Sequence, residues 1–227
     1  MKAPTLVTSC TALPPEGALR LGPGQAVSAA HVDKEGAPTL APDLNPHGSE
    51  APSAWIQRWS HLIWPGGTVL DVACGQGRHA YWFYKRNHTL TLVDLAQAAI
   101  DSIAIPTASC EKVVADIEAG RWPFAGRQFD AVVVTNYLWR ALMPTLIGSL
   151  APGGVLIYET FAQGNETVGK PSRPDFLLRP GELLEVCRGL RIVAFEDGFQ
   201  DAPPRFVQRI AAVRETAPGA SMPRYTL

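Results

Sequence analysis

Gly75 and Gly77, with Ala80 three residues on, form the spacing G-x-G-x-x-A directly after the apolar run Val69-Leu70-Asp71-Val72. Glycines so placed let a backbone turn approach a polar ligand without Cβ clashes, and the spacing alone is that of a dinucleotide-binding turn. A pyrophosphate has no use for Asp71 and Cys74, which stand just ahead of the turn. Asp94 follows Gly77 by seventeen residues, and a carboxylate there can accept both protons of a ribose diol. Asp116 offers an acceptor to the exocyclic amine of an adenine. Taken singly, Asp94 and Asp116 are more often caps of the helices after them than ligands. Their occurrence together, after a glycine turn, points to a nucleoside-like ligand.

These residues need strands to present them at one edge. Thr68–Val72 is a short apolar run without alternation, as in a strand buried on both faces. Further strands are expected to end at Asp94, Asp116 and Val134, with a fifth in "VLIYET", a sixth in "LRIVAFE" and a seventh in "RFVQRIAAVRE". Helices are expected after a cap at Ser53, over Arg78–Arg86, Leu95–Ile103, Arg140–Leu150 and Gly181–Arg188, with Pro144 bending the fourth. Pro152-Gly153-Gly154 reads as a turn. Alternation of strands and helices predicts an α/β fold: a doubly wound, mostly parallel seven-stranded sheet with helices on both faces. Only "DGFQDAPP" separates the last two strands, so the last strand should be antiparallel.

The 227 residues divide unevenly. Residues 1–50 hold seven prolines and no aromatic residue, whereas all nineteen Phe, Trp and Tyr lie from Trp55 onward. A segment without large apolar anchors cannot offset its ordering entropy, so residues 1–50 are expected to be a disordered extension and residues 51–227 the folded domain. The net charge of −1 gives no nucleic-acid signal. The four cysteines form no CxxC pair and suit reduced thiols in the cytoplasm. No run reaches the ~18 apolar residues of a membrane span, and the five histidines have no metal-binding spacing.

Leu70-Asp71-Val72-Ala73-Cys74-Gly75-Gln76-Gly77 resembles the first motif of class I S-adenosylmethionine-dependent methyltransferases. Asp94, Asp116-Ile117, "FDAVVVTNYL" and "LAPGGVLIYET" resemble the later motifs of that superfamily, in order, so the likeness covers residues 55–214. The run Ala73–Arg78 is also similar to the tellurite-resistance branch. The resemblance implies S-adenosylmethionine as cofactor, held by Asp71, Ala73, Cys74, Gly75, Gly77, Arg78, Asp94, Leu95, Asp116, Ile117 and Asn136. In this reading Asp71 orients the cofactor's ammonium group and Asp94 takes the ribose. Many members carry glycine where Ala73 stands, and an ordinary backbone dihedral is expected at this alanine.

The expected reaction is methyl transfer to a small-molecule acceptor. A methyltransferase acting on RNA or protein, and a non-catalytic cofactor-binding module, are the alternatives. Tyr137 and Glu159 are the catalytic candidates. Tyr137, Glu159, Phe161, Arg173 and Phe176 are the candidate substrate contacts, the last two in a long connection from Thr160 to Arg179. Such a loop is often functional; Phe176-Leu177-Leu178 could equally anchor it to the core. His79 is expected at the helix surface or the mouth of the site. Neither a metal nor a membrane partner is expected.

Overall fold

The computed structural model describes residues 51–216 and 223–227. The expected extension, residues 1–50, lies outside them.

The seven strands among the described residues are β1 (Thr68–Val72), β2 (Thr89–Asp94), β3 (Cys110–Val114), β4 (Phe129–Thr135), β5 (Leu150–Phe161), β6 (Arg191–Asp201) and β7 (Pro204–Val213). They form one sheet in the order β3-β2-β1-β4-β5-β7-β6. Pairings from β3 through β5 are parallel; β7 runs antiparallel to both β5 and β6. The five α-helices among the described residues are short: α1 (Ala54–Trp59), α2 (Arg78–Tyr84), α3 (Gln97–Asp101), α4 (Met143–Gly148) and α5 (Glu182–Val186). Helices of five to seven residues do not persist by propensity alone, so burial against the sheet must hold them. Two apolar clusters supply that burial. One gathers Trp55, Ile56, Trp59 and Phe83 over Val69 and Val133; the other gathers Phe124, Leu146 and Leu183 over Leu70 and Val132. Successive residues of β1 and β4 thus point into opposite clusters, as a sheet covered on both faces requires.

Four details differ from the sequence reading. β3 ends at Val114, two residues before Asp116. Pro152-Gly153-Gly154 is not a turn between elements but an irregular stretch inside the twelve-residue β5, where Gly153 takes a φ of 81° and the register shifts against β4. The expected fourth helix is a 3-10 turn, Arg140–Leu142, followed by α4, with Pro144 in the first turn of α4. Proline is well tolerated there because its missing N–H has no intrahelical partner. Most of "DGFQDAPP" is strand: β6 and β7 pair as far as Asp201 and Pro204, leaving Ala202 and Pro203 as the connection.

Candidate active site

The carboxyl edges of β1, β2 and β4 meet at the glycine turn. Asp71, near the end of β1, is 1% exposed, and neither carboxylate oxygen has a hydrogen-bond partner. Burial raises its pKa to about 7; Arg78 opposes that rise and Asp94 adds to it. A buried carboxylate without partners is costly, so a structure that keeps one here is suited to a cationic ligand.

Three residues in the left-handed region build the turn: Ala73 (φ 53°), Gly75 (φ 54°) and Gly77 (φ 77°). Ala73 therefore does not have the ordinary dihedral expected of it. The chain reverses sharply because Cys74 N donates to Val93 O at 3.1 Å and Gly77 N to Cys74 O at 3.0 Å. A left-handed alanine is strained, and the surrounding bonds must compensate. At Gly75 an added Cβ would meet nothing within 4 Å, so the turn faces open space. At Gly77 it would meet Ile103 Cδ1 at 2.9 Å, so this glycine also serves close packing. Burial pushes the Cys74 thiol well above its ordinary pKa, which keeps it protonated and unreactive.

Asp94 closes β2 and ties the glycine turn to the N-terminal end of α3. Its Oδ2 accepts from Gly75 N and its Oδ1 from Ala96 N, both at 2.8 Å. Each oxygen retains a lone pair for a diol. Leu95, beside it, is 68% exposed, an apolar surface available to cover a flat ring. Asp116 sits in the loop after β3, where its Oδ1 accepts from Glu118 N and Ala119 N at 2.9 Å. Those bonds hold its pKa below the ordinary value. Asp116 thus organises its own loop, and Ile117 packs partly into the core beside it.

Asn136 and Tyr137 come directly after β4. Asn136 takes a φ of 54° and its N–H donates to Glu159 O at 2.9 Å. The buried Tyr158 hydroxyl donates to Tyr137 O at 2.8 Å, so β5 fixes the backbone at both residues. Tyr137, Phe161 and Phe176 line one cavity of about 300 Å³ with Asn136, Thr160 and Glu118. Three of the five substrate candidates therefore converge. The Tyr137 hydroxyl is shut off from solvent, and burial together with the neighbouring Glu118 carboxylate raises its pKa.

Glu159 and Arg173 lie elsewhere. The Glu159 side chain is 1% exposed and held by Arg205 at 3.3 Å, by Arg209 at 2.7 Å and by the Ser53 hydroxyl at 3.1 Å from each oxygen. It is enclosed by donors, an arrangement that fits a structural role and not that of a base. Arg173 is 72% exposed, pairs with Asp175 and lies 5.3 Å from the Phe176 ring centroid.

The sequence reading missed what holds the long connection. Arg140 forks onto Glu182 at 2.7 and 3.0 Å and also donates to the carbonyls of Asp175 and Leu177. Asn165, 1% exposed, donates to Pro171 O and accepts from Phe206 N. Leu177 and Leu178 are buried, whereas Phe176 is 41% exposed and faces the cavity, so the segment both anchors and lines. His79 is likewise not at the surface. It is 3% exposed, accepts from Ser53 N at Nε2 and meets Thr135 Oγ1 at Nδ1. With Nε2 accepting, Nδ1 carries the proton and donates to the threonine. No signal in the sequence joins residues 26 and 56 positions apart in this way.

Residues 69–154 match the family described as a methyltransferase domain. No curated protein matches the sequence. Among solved structures, TehB from Haemophilus influenzae shares 17% identity at a TM-score of 0.58, over 70% of this chain and 61% of that one. The chain thus spans less than two thirds of TehB. An S-adenosylmethionine-dependent methyltransferase from Mesorhizobium loti shares 17% at 0.56, over 71% and 98% of the two chains. The glycopeptide N-methyltransferase MtfA complexed with S-adenosylmethionine shares 19% at 0.50, over 70% and 92%. Residues 69–154 match a methyltransferase-domain family, and the fold that carries them is that of the class I S-adenosylmethionine-dependent methyltransferases.

Proposed function

We propose that the protein transfers the methyl group of S-adenosylmethionine to a small-molecule acceptor bound beside the carboxyl ends of β4 and β5. The observation that carries this reading is the buried, unpartnered carboxylate of Asp71 next to the open side of Gly75. These residues fit the cofactor. Asp71 would take the ammonium group, the turn amides around Gly75 the carboxylate, Asp94 the ribose diol, and Leu95 and Ile117 the adenine faces. When bound, the cofactor supplies a methyl group on a sulfonium, a leaving group that needs no further activation.

The protein's task is then alignment, and positioning of this kind can contribute roughly 7–11 kcal/mol. The bonds from Tyr158 and Glu159 to the backbone of Asn136 and Tyr137 serve it by fixing the wall between cofactor and cavity. A cavity of about 300 Å³ favours a small acceptor over an RNA or a protein. The cysteines among the described residues are unpaired, which supports a reducing compartment, the cytoplasm. No helix of the described residues is long and apolar enough to cross a membrane. We read residues 1–50 as an extension dispensable for folding; limited proteolysis should trim to near residue 50 and leave a stable core.

Thermal unfolding of ligand-stripped protein tests the cofactor reading. S-adenosylhomocysteine at about 100 times its Kd should stabilise by about 2.7 kcal/mol, a rise of about 5–10 °C, and NAD should do nothing. A response to NAD alone would overturn the reading.

A further inference from the structure

The cavity beside β4 and β5 has an unusual balance of groups. Its ring-bearing walls are Tyr137, Phe161 and Phe176, and the one ionisable acid among its lining residues is Glu118. No Lys, Arg or His lines it. Four guanidiniums on the surrounding elements are paired with carboxylates: Arg173 with Asp175, Arg140 with Glu182, and Arg205 and Arg209 with Glu159. The Tyr137 hydroxyl, shut off from solvent, stands beside the Glu118 carboxylate on this wall. Aromatic faces attract cations through the ring quadrupole, and a carboxylate at the rim adds charge complementarity. An oxyanion would meet one negative charge here, and the Arg173 guanidinium beside the Phe176 ring is already paired with Asp175.

Resting on the methyltransferase reading, we propose that this cavity is an aromatic cage for a small amine-bearing acceptor, with Glu118 as the residue that selects a cationic over an anionic molecule. Tyr137, Phe161 and Phe176 enclose the ammonium-bearing end, and Glu118 sets the sign. The volume is at the small end of ligand pockets, which fits a single-ring or short-chain amine. The same charge pattern excludes tellurite and other oxyanions from this cavity.

The test is calorimetric binding to the full chain saturated with S-adenosylhomocysteine. The probes are 2-phenylethylamine and 3-phenylpropionate, alike in size and opposite in charge. The amine should bind at least about tenfold more tightly than the acid. Glu118→Gln should abolish that preference and Glu118→Lys should invert it, with S-adenosylhomocysteine affinity unchanged in both. The backbone bond from Glu118 N to Asp116 persists in both substitutions, and thermal unfolding checks that each variant remains folded. Equal binding of the two probes, binding of neither, or a preference that survives Glu118→Gln overturns the proposal. Failure of S-adenosylhomocysteine itself to bind strikes instead the cofactor reading beneath it.

Discussion

Asp71 and Glu159 are both acids at the carboxyl edge of the sheet, and both are 1% exposed. Their surroundings are opposite. Asp71 has no hydrogen-bond partner on either oxygen, whereas Glu159 is surrounded by two arginines and a serine. Burial is therefore not what separates a binding acid from a structural one; the presence of built-in partners is. Glu159 has its cations within the fold and locks β5, β7 and the start of α1 together. Asp71 has no such partner within the fold; on the proposed reading a ligand completes it, and the apo protein bears the cost of its desolvation.

Removing each acid should therefore move stability in opposite directions. The largest effect is expected for Glu159→Ala, which strands Arg205 and Arg209 in a site where they are 18% and 15% exposed. Breaking a buried pair in this way costs about 3–5 kcal/mol, read as a fall in denaturation midpoint. A loss under about 1 kcal/mol, the range of an exposed pair, would show that the two acids are not so different.

Asp71→Asn is expected to do the reverse to the apo protein at pH 8, raising its Tm by about 2–4 °C as the buried charge disappears. S-adenosylhomocysteine affinity should fall about 10- to 100-fold, since a charge-assisted hydrogen bond is lost. The pH dependence sharpens the contrast. The folded pKa of Asp71 is about 7 against 3.8 for an unperturbed acid, so the folded state binds this proton more tightly. Its contribution to stability is accordingly lost as pH rises from about 4 to 7, and cofactor affinity grows over the upper part of that window. His79 has the opposite sign. Burial and Arg78 lower its pKa from 6.5 to about 3, so only the unfolded chain takes up the proton as pH falls. Its contribution is lost below pH 6.5. Titrating apo Tm against pH in wild type and Asp71→Asn separates the two: the variant should keep the acid-side loss and lose the decline toward pH 7.

A smaller effect is expected from Ser53→Ala. This serine caps α1 by accepting from Trp55 N and donates to Glu159, so about 1–2 kcal/mol should be lost, mostly as an earlier thermal transition. Cofactor affinity should change by less than about twofold if the Glu159 cluster is structural alone.

The sequence showed most of what depends on local pattern. β1, β2 and β4 read clearly because uninterrupted apolar runs ending in polar residues have few other uses in a short segment. The glycine turn and Asp94 were legible for the same reason: their spacing is set by one strand, one turn and one helix. Ala73 was misread because a positive φ at alanine is a property of the bonds around it. Asp116 was placed at a strand end because "EKVVADIE" carries no stop signal, whereas the strand stops where its pairing with β2 does, at Val114. The Glu159 cluster was illegible because its partners lie 46 to 106 positions from Glu159. His79 was hidden because a histidine in a helix gives no sign of which face it occupies.

The six residues of α1 bring a practical boundary. Ser53 reaches both Glu159 and His79 from outside the helix, while Trp55 Nε1 donates to Ile210 O on β7. The methyltransferase match begins at residue 69, yet a chain trimmed to that point would lack the hydroxyl that completes Glu159 and the two tryptophans that cover the sheet. The minimal expressible unit begins at or before Pro52, whose carbonyl still accepts from Gln57. Shorter versions should accumulate as insoluble protein with their cofactor residues intact, so genetic dissection that starts from the family match would mistake a folding defect for a loss of activity.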